Sequence, residues 1–307
     1  MINTLRAKLF RKTKIEVAAS LLNNGIQNPL DAFSVNDEKL LVNEKGEVPL
    51  TYWVNAPNFG DLLSPWIFGQ LTDKKIELVR GAHDSDKDTL KHKAYISIGS
   101  IISRVQNNSI VWGTGSFGTE QSSQISKKAA YHAVRGPLTR CLVMNEGIEC
   151  PKVYGDPALL VPFIYNPEVD VTHDIGVVIR WSEKAWREVP VQSGVKLIDL
   201  GRDDIEGVLR DIKSCKKIIT SSLHGLIIAD AYGLPNAWLS SRTPKGGEFK
   251  FYDYFISVDK VRHAHTYSVE KLGLKLETLN ENFDFDSRVI NFDYFALLNA
   301  CPFLKRK

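Results

Sequence analysis

The sequence predicts an α/β protein built from two successive series of strands and helices, each forming a parallel sheet. Short runs rich in β-branched and aromatic residues, such as 50–54 and 175–180, alternate with stretches that have helical spacing of apolar residues. This alternation is typical of parallel strands joined by helices. The chain has 307 residues, enough for about two domains. The stretch 162–172 predicts a linker between the two series.

The first series contains the strands that lead into most of the polar loops. Its strands are predicted at 50–54, 75–79, 94–100, 110–116, 130–136 and 153–157. Apolar spacing over 62–71 predicts a helix whose first turn contains Pro65, and Pro137 opens a second helix that ends near Met144. Before this series, 15–22 predicts a short helix and the polar segment 31–47 is typical of a loop.

The second series repeats the alternation of strands and helices. Its strands are predicted at 175–180, 195–200, 217–220 and 236–240. Helices are predicted at 204–214, at the apolar stretch 226–233 and at the aromatic stretch 249–255. A last helix at 287–298 is expected to pack back on the first unit. The boundaries expected from this layout are 1–165, 166–285 and 286–307.

Composition excludes several classes of protein. The hydrophobic fraction of 43% and charged fraction of 24% are ordinary for a soluble globular protein. With 39 basic and 36 acidic residues, the net charge of +3 does not indicate a nucleic-acid partner. The four cysteines are scattered without a Cys-x-x-Cys pair, which predicts free thiols in a reducing compartment and no metal site.

The N-terminal segment and the hydropathy pattern bear on location. No apolar run approaches the roughly 18 residues that a membrane span requires. The start of the chain has no apolar core of a secretory signal, so a cytoplasmic protein is predicted. The basic stretch 5–14 predicts a solvated arm, and contact with the inner face of an anionic membrane is the alternative.

The segment from Ser221 to Gly225 is the strongest candidate for a binding site. It follows a predicted strand and opens a predicted helix, where backbone amides without partners and the helix dipole favour an anion. His224 would lie in the first helical turn, where it can bind an anion or transfer a proton. The alternative is that Ser221 or Ser222 is a helix cap and His224 a packing residue.

Other polar residues follow predicted strands and are expected at the same edge. Asn58 and Asp61 follow the first strand, while Arg135 and Arg180 end strands of the two series. Arginine pairs bidentately with phosphate or carboxylate, and a carboxylate in a cleft takes a shifted pKa. Asp61 is therefore the candidate acid or base. A helix cap for Asp61, and a surface or ion-pair role for each arginine, remain the alternatives.

Glycines at 113, 115 and 118 match the Gly-x-Gly-x-x-Gly spacing of dinucleotide-binding loops. The residues that follow, 119–126, are poor helix formers, and no acidic residue lies near position 135. Both features are required for the dinucleotide interpretation. A tight turn near the site is the better prediction.

The order of motifs along the chain resembles the polysaccharide pyruvyltransferase family. The resemblance covers about residues 52–240 and looks closest to members that pyruvylate bacterial exopolysaccharides. The ordered motifs are Asn58-Phe59-Gly60-Asp61, Ile98-Gly99-Ser100, Trp112-Gly113-Thr114-Gly115, Val134-Arg135-Gly136-Pro137, Gly155-Asp156-Pro157-Ala158 and Ser222-Leu223-His224-Gly225.

This resemblance implies two Rossmann-like domains facing each other across a cleft, as in GT-B glycosyltransferases. It implies phosphoenolpyruvate as donor, a glycan as acceptor, a pyruvate ketal as product and no cofactor or metal. His224 is expected to be the general acid and Asp61 the base, with the reverse assignment left open. The residues expected to bind substrate are Asn58, Arg135, Arg180, Ser221, Ser222, Leu223 and Gly225.

One position departs from the family pattern. Many relatives have arginine where Ser222 stands. Either Arg180 or Arg242 replaces it, or the donor binds in a different position. Two other functions stay open: a GT-B glycosyltransferase that uses a nucleotide-sugar, with Glu248 as its acidic residue, and a non-catalytic module of a capsule-assembly complex. The glycan acceptor is expected to be lipid-linked.

Aromatic side chains are candidates for stacking on the acceptor sugar, with burial in the core as the alternative for each. The candidates are Trp53, Trp112, Trp181 and Tyr154.

Overall fold

The structure is a computed structural model that describes residues 28–80, 93–240 and 247–307. The predicted helix at 15–22, the basic stretch 5–14 and Arg242 lie outside the described residues.

The strands are short and the helices are mostly of two to four turns. The strands are β1 Phe33–Val35, β2 Val48–Thr51, β3 Ile76–Leu78, β4 Ala94–Ile96, β5 Ser109–Trp112, β6 Ala130–Ala133, β7 His173–Ile179, β8 Val195–Asp199, β9 Cys215–Thr220, β10 Asn236–Trp238 and β11 Leu304–Arg306. The helices are α1 Phe59–Thr72, α2 Pro137–Asn145, α3 Val161–Ile164, α4 Ile205–Lys213, α5 Leu223–Ala231, α6 Phe249–Ser257, α7 Val269–Leu272, α8 Leu276–Asn282 and α9 Tyr294–Asn299.

Within the described residues, the strands form two parallel sheets and one small antiparallel pair. The five-stranded sheet has the order β3-β2-β4-β5-β6 and the four-stranded sheet the order β10-β9-β7-β8. Every pairing within these two sheets is parallel. The prediction of an α/β protein with parallel sheets is therefore confirmed.

Buried strands explain why apolar runs predicted these elements well. All four residues of β2 and β5 are buried, as are five of the seven residues of β7. Trp112 at the end of β5 is fully buried, packs edge-on against Phe68 and Phe303, and donates from Nε1 to the Leu297 carbonyl at 3.0 Å. Of the two alternatives left open for Trp112, stacking on a sugar or burial in the core, the structure therefore contains the second.

Three predicted elements differ from the structure. The predicted strand at 153–157 makes only a single bridge, between Val134 and Tyr154. The helix expected at 287–298 is limited to α9. The segment 31–47, expected to be a loop, contains β1, which pairs antiparallel with β11. Strands of three residues carry too little periodicity to be seen in sequence, and this pair depends on a contact between distant parts of the chain.

The two parallel sheets meet through helices that share one apolar core. The backbone N–H of Phe59, at the start of α1, donates to the carbonyl of Leu200, directly after β8, at 2.9 Å. Residues of α1 from the first series and of α4 and α5 from the second belong to one buried cluster, among them Phe59, Leu63, Ile67, Val208, Leu209, Ile212, Leu226 and Ile227. The start of α1 is therefore fixed against the second sheet.

A buried charge network joins α5 to α6. Asp230, in the last turn of α5, accepts hydrogen bonds from Tyr254 of α6 at 2.9 Å, from Lys260 at 2.8 Å and from Arg262 at 2.6 Å. The side chains of Asp230, Lys260 and Arg262 are almost fully buried. Removing one partner from such a network leaves uncompensated buried charge, so the network holds the two helices in a fixed arrangement.

Replacing Asp230 with alanine tests this network. We expect Asp230→Ala to lower the free energy of unfolding by about 3–5 kcal/mol, because Lys260 and Arg262 lose their closest carboxylate while remaining buried. Urea unfolding monitored by circular dichroism measures the loss.

The matched control is Asp174→Ala. Asp174 also pairs with a lysine, Lys216, at 2.7 Å, but both side chains are exposed. Exposed pairs contribute little, so the unfolding midpoint of this variant should match that of the wild type. Equal losses in the two variants would show that the Asp230 network does not hold the fold.

Candidate active site

Asp61 lies in the first turn of α1, directly after the loop that leaves β2. Asn58 occupies the cap position of this helix: its Oδ1 accepts from the Gly60 N–H at 3.3 Å, and its Nδ2 donates to Asp61 Oδ2. The alternative that Asp61 itself caps the helix is therefore wrong. The short side chain of Asn58 satisfies the helix start and at the same time orients the Asp61 carboxylate.

Burial raises the pKa of Asp61 to about 6, above its ordinary value of 3.8, because the charged form loses hydration. Four neighbours oppose this shift. In order of effect they are His224, the Asn58 hydrogen bond, Lys250 and Arg104. A carboxyl group with a pKa near 6 can both accept and donate a proton near neutral pH.

His224 lies against the backbone of Gly60. A Cβ atom at Gly60 would come within 2.1 Å of His224 Nδ1, so any larger residue there would displace the imidazole ring. This contact brings together the first turn of α1 and the first turn of α5, one from each series. His224 and Asp61 are thereby neighbours, as the sequence predicted.

Asp156 faces the other nitrogen of His224. Asp156 Oδ2 is 3.6 Å from His224 Nε2, and the two side chains are 0% and 12% exposed. That distance exceeds a hydrogen bond, and neither atom has a hydrogen-bond partner within the described part of the chain. The other oxygen, Oδ1, accepts from the Ala158 N–H at 3.0 Å and so fixes the carboxylate. The Asp156 carboxylate thus faces the imidazole without a hydrogen bond between them.

The turn before α5 is tightly packed. Ser222 occupies the cap position of α5, but its side chain makes no capping hydrogen bond; its N–H donates to Thr220 Oγ1 at 3.0 Å. Ser221 donates from its hydroxyl to Glu183 Oε2. Leu223 is buried in the shared core, and a Cβ at Gly225 would meet Thr220 Oγ1 at 2.3 Å. The turn thus contributes mainly backbone groups at the helix start.

Arg135 is fully buried and engaged by protein groups. Its Nε donates to Asp253 Oδ2 at 3.1 Å, one terminal nitrogen donates to the Ser100 hydroxyl at 2.7 Å, and the other to the Ser116 carbonyl at 2.8 Å. Asp253 belongs to α6. The ion-pair alternative for Arg135 is thus what the structure contains, while its contact with a donor stays a prediction.

Arg180 follows β7 and lies beside Glu183. Its terminal nitrogen is 3.6 Å from Glu183 Oε1, and its backbone N–H donates to Glu183 Oε2 at 2.9 Å. Because Glu183 also accepts from Ser221, Arg180 is positioned next to the turn that precedes α5.

Lys250 of α6 is a site residue that the sequence did not reveal. Burial, and then the positive charges of Arg180 and Arg135, lower its pKa to about 8, against the opposing effects of Asp61 and Glu183. Lys250 therefore lies among the predicted site residues. No motif marks this lysine, which stands inside a predicted aromatic helix.

The glycine-rich loop after β5 forms a tight turn, as the sequence indicated. Gly113 and Gly118 have φ values of +98° and +82°, which glycine tolerates best. The Glu120 carboxylate accepts from the amides of Phe117 at 2.9 Å and of Gly118 at 3.0 Å. These amides bind an internal carboxylate, which argues against the dinucleotide interpretation of the loop.

Two tryptophans from different sheets stack on each other next to the site. Trp53 follows β2 and Trp181 follows β7; their ring centroids are 5.9 Å apart with an interplanar angle of 29°. Trp181 is 38% exposed. The pair is an accessible aromatic surface beside Arg180 and close in sequence to Asn58.

The predicted site residues thus assemble where strands of both sheets end. Asn58, Arg135, Arg180 and His224 follow the carboxyl ends of β2, β6, β7 and β9, the position at which parallel α/β sheets bind ligands. Within residues 28–80, 93–240 and 247–307, no cluster of three or more metal-ligating side chains occurs. Among the helices in these ranges, none has both the length and the hydropathy to cross a membrane.

Two proteins similar in sequence cover much of the chain. An uncharacterized protein, L143, of Acanthamoeba polyphaga mimivirus is 28% identical over 283 residues, which are 87% of this chain and 95% of the relative. The succinoglycan biosynthesis protein ExoV of Rhizobium meliloti is 27% identical over 216 residues, 66% of this chain and 62% of ExoV.

The family model described as polysaccharide pyruvyl transferase matches residues 58–243, more than half of the chain. The match begins at the cap of α1 and contains Asp61, Arg135, Asp156 and His224. It confirms the resemblance carried by the ordered motifs. The chain belongs to the polysaccharide pyruvyl transferase family.

Proposed function

We propose that the protein transfers the enolpyruvyl group of phosphoenolpyruvate to two hydroxyls of one glycan sugar, which forms a pyruvate ketal. The observation that supports this most is the pairing of Asp61, whose pKa is about 6, with His224 across the Gly60 contact. A proton donor and a proton acceptor are what ketal formation from an enol phosphate requires. The two sheets are the two Rossmann-like halves of a GT-B arrangement in this proposal.

The reaction needs one proton delivered to carbon and two removed from oxygen. His224, as imidazolium, protonates C3 of the donor and leaves an oxocarbenium-like C2. The first sugar hydroxyl attacks C2 and gives its proton to Asp61. The C2–O bond to phosphate then breaks, the second hydroxyl closes the ketal, and its proton returns to His224. The proton on Asp61 leaves with the phosphate.

The charges around the site suit a donor that carries a phosphate and a carboxylate. Arg180, Lys250 and the amides at the start of α5 are positive or partly positive groups near His224. Such preorganised groups stabilise negative charge that develops on the leaving phosphate. Asp156 orients the His224 ring by accepting from Nε2 as the 3.6 Å gap closes.

The acceptor side is formed by Trp53 and Trp181 in this proposal. An exposed aromatic face packs on the apolar face of a sugar ring, and this pair stands beside the loop that carries Asn58 and Asp61. A lipid-linked glycan at the inner face of the membrane is the acceptor that the proposal names.

The first test is a transfer assay. The purified protein is incubated with phosphoenolpyruvate and a panel of galactose, mannose, glucose and N-acetylhexosamine glycosides, and the ketal mass increment and phosphate release are measured. We expect His224→Ala and Asp61→Asn each to lower kcat by about 10²- to 10⁴-fold, the usual contribution of acid–base catalysis.

Two controls make this assay decisive. His263→Ala changes an exposed histidine outside the site and should keep full activity. Ligand-induced thermal shifts with phosphoenolpyruvate, UDP and GDP identify the donor independently of the acceptor, because selective binding raises the melting temperature. A shift with UDP or GDP and none with phosphoenolpyruvate would overturn the proposal in favour of a nucleotide-sugar transferase.

Asp61→Asn should stabilise the protein at neutral pH. Because the pKa of Asp61 is raised in the folded state, the folded protein binds the proton more tightly than the unfolded chain does. Wild-type stability therefore falls as pH rises from about 4 to 6, on the order of 2–3 kcal/mol in total. The asparagine variant does not titrate and avoids this loss.

Urea unfolding at pH 4 and pH 8 measures the effect. We expect the variant to match the wild type in stability at pH 4 and to exceed it at pH 8, while its kcat stays lowered. If the variant and the wild type were equally stable at both pH values, the folded state would not raise the pKa of Asp61.

Trp181→Ala should weaken the acceptor and spare the donor. We expect KM for the glycan to rise about 10-fold through loss of stacking, with phosphoenolpyruvate affinity unchanged. Trp186→Ala is the matched control, since Trp186 lies in the same loop but packs against Tyr267. An unchanged KM in Trp181→Ala would remove the aromatic pair from the acceptor site.

A further inference from the structure

Lys250 is placed in the site without a carboxylate partner of its own. Its Nζ lies 5.6 Å from the centroid of the Phe117 ring and 5.1 Å from that of Phe251. Within the described residues, it forms neither a hydrogen bond nor an ion pair. A lysine that is partly buried against two aromatic rings has lost hydration, and the ring faces replace it only in part.

The acidic side chains around Lys250 are already engaged by other groups, so its positive charge is not balanced. Arg135 is paired with Asp253, and Arg180 lies 3.6 Å from Glu183. Asp61 is the remaining acidic group among the charges that act on Lys250, and its carboxylate is engaged by Asn58. A cation that lacks its own counter-charge in a partly buried position is typical of a binding site for an anion.

The position of Lys250 is fixed through helix α6. Asp253, one turn further along α6, accepts from Arg135 Nε at 3.1 Å and from the Thr139 hydroxyl at 2.7 Å. Gly136 lets α6 approach closely, because a Cβ there would come within 1.9 Å of the Asp253 carbonyl oxygen. The Arg135–Asp253 pair therefore ties α6 to the strand ends of the first sheet.

We propose that Lys250 binds an anionic group of the donor, its phosphate or its carboxylate, and that the Arg135–Asp253 pair positions helix α6 for this contact. This inference rests on the proposed function. It assigns to Lys250 the cationic contact and to Arg135 a positioning role.

The same geometry predicts how pH acts on donor binding. Lys250 faces Asp61 on α1, Arg135 after β6, and Arg180 and Glu183 after β7. Since burial and the two arginines hold the pKa of Lys250 to about 8, its charge is present at pH 7 and is lost as pH rises through 8. A bound anion stabilises the charged form, so affinity falls over this interval.

Calorimetric binding of phosphoenolpyruvate, inorganic phosphate and pyruvate tests the proposal without any acceptor. We expect Lys250→Met to weaken phosphoenolpyruvate affinity about 10- to 100-fold, the usual effect of losing a charged hydrogen bond, and Lys250→Arg to restore it. The affinity of the wild type should fall from pH 7 to 9, whereas that of Lys250→Arg should stay constant. Lys216→Met, which changes an exposed lysine, is the control and should bind as the wild type does.

The possible results distinguish a failure of the role given to Lys250 from a failure of the proposed function. Weaker binding of phosphate by Lys250→Met identifies the phosphate as the bound group, and weaker binding of pyruvate identifies the carboxylate. Unchanged phosphoenolpyruvate affinity in Lys250→Met would overturn the role of Lys250 and leave the proposed function intact. A wild type that binds no phosphoenolpyruvate would overturn both.

The role of Arg135 is tested with Arg135→Lys, which keeps the charge and removes the guanidinium group that donates at once to Asp253, Ser100 and Ser116. We expect a lower melting temperature and a raised KM for phosphoenolpyruvate with little change in kcat. Normal stability together with lost binding would instead make Arg135 a direct donor contact.

Discussion

The contact between the His224 ring and the Gly60 backbone is the constraint on which the site depends. Gly60 belongs to the first turn of α1 and His224 to the first turn of α5, so this contact joins one helix start from each series. A side chain at position 60 would overlap the imidazole, since its Cβ would be 2.1 Å from Nδ1. Close approach of the two helix starts, and with it the proximity of Asp61 to His224, therefore requires glycine.

Close approach of two helix starts is electrostatically unfavourable, because both present unpaired amides and the positive ends of their dipoles. The structure offsets this on α1 with Asn58, which accepts from the Gly60 amide, and with the Asp61 carboxylate in the first turn. The start of α5 has no such compensation from the Ser222 side chain. An anion is thus better accommodated at α5 than at α1.

Buried ion pairs as well as apolar contacts fix α6, the helix that completes the site. The pair of Arg135 with Asp253 connects α6 to the end of β6 in the first sheet. Asp230 of α5 binds Tyr254 of α6 and pairs with Lys260 just after that helix. Burying these charges costs hydration, and apolar residues of similar size would stabilise the fold at least as well. Such pairs do specify geometry, because each partner is satisfied in one arrangement only. The Arg135–Asp253 pair fixes the position of α6 and therefore also that of Lys250, which belongs to the same helix.

The sequence was most informative where local pattern decides structure. Apolar runs predicted the buried strands, and their polar ends predicted that Asp61 and His224 meet, because parallel strands place their carboxyl ends together. It was least informative about Lys250, which no motif marks, and about the pairing of Arg135 with Asp253. Both depend on how α6 crosses the strand ends, which is a tertiary property. Asp156 belongs to the motif Gly155-Asp156-Pro157-Ala158, but its distance of 3.6 Å from His224 results from packing between the two series.

One physical cause, burial, moves two groups of this site toward neutrality from opposite sides. Loss of hydration raises the pKa of Asp61 to about 6 and contributes to lowering that of Lys250 to about 8. Both groups therefore need less free energy to change charge than they would in water. An anionic ligand would strengthen the proton affinity of each, and departure of its negative charge would weaken it again. In the proposed reaction, uptake and release of protons at these two groups would therefore be coupled to the arrival and loss of the anionic donor.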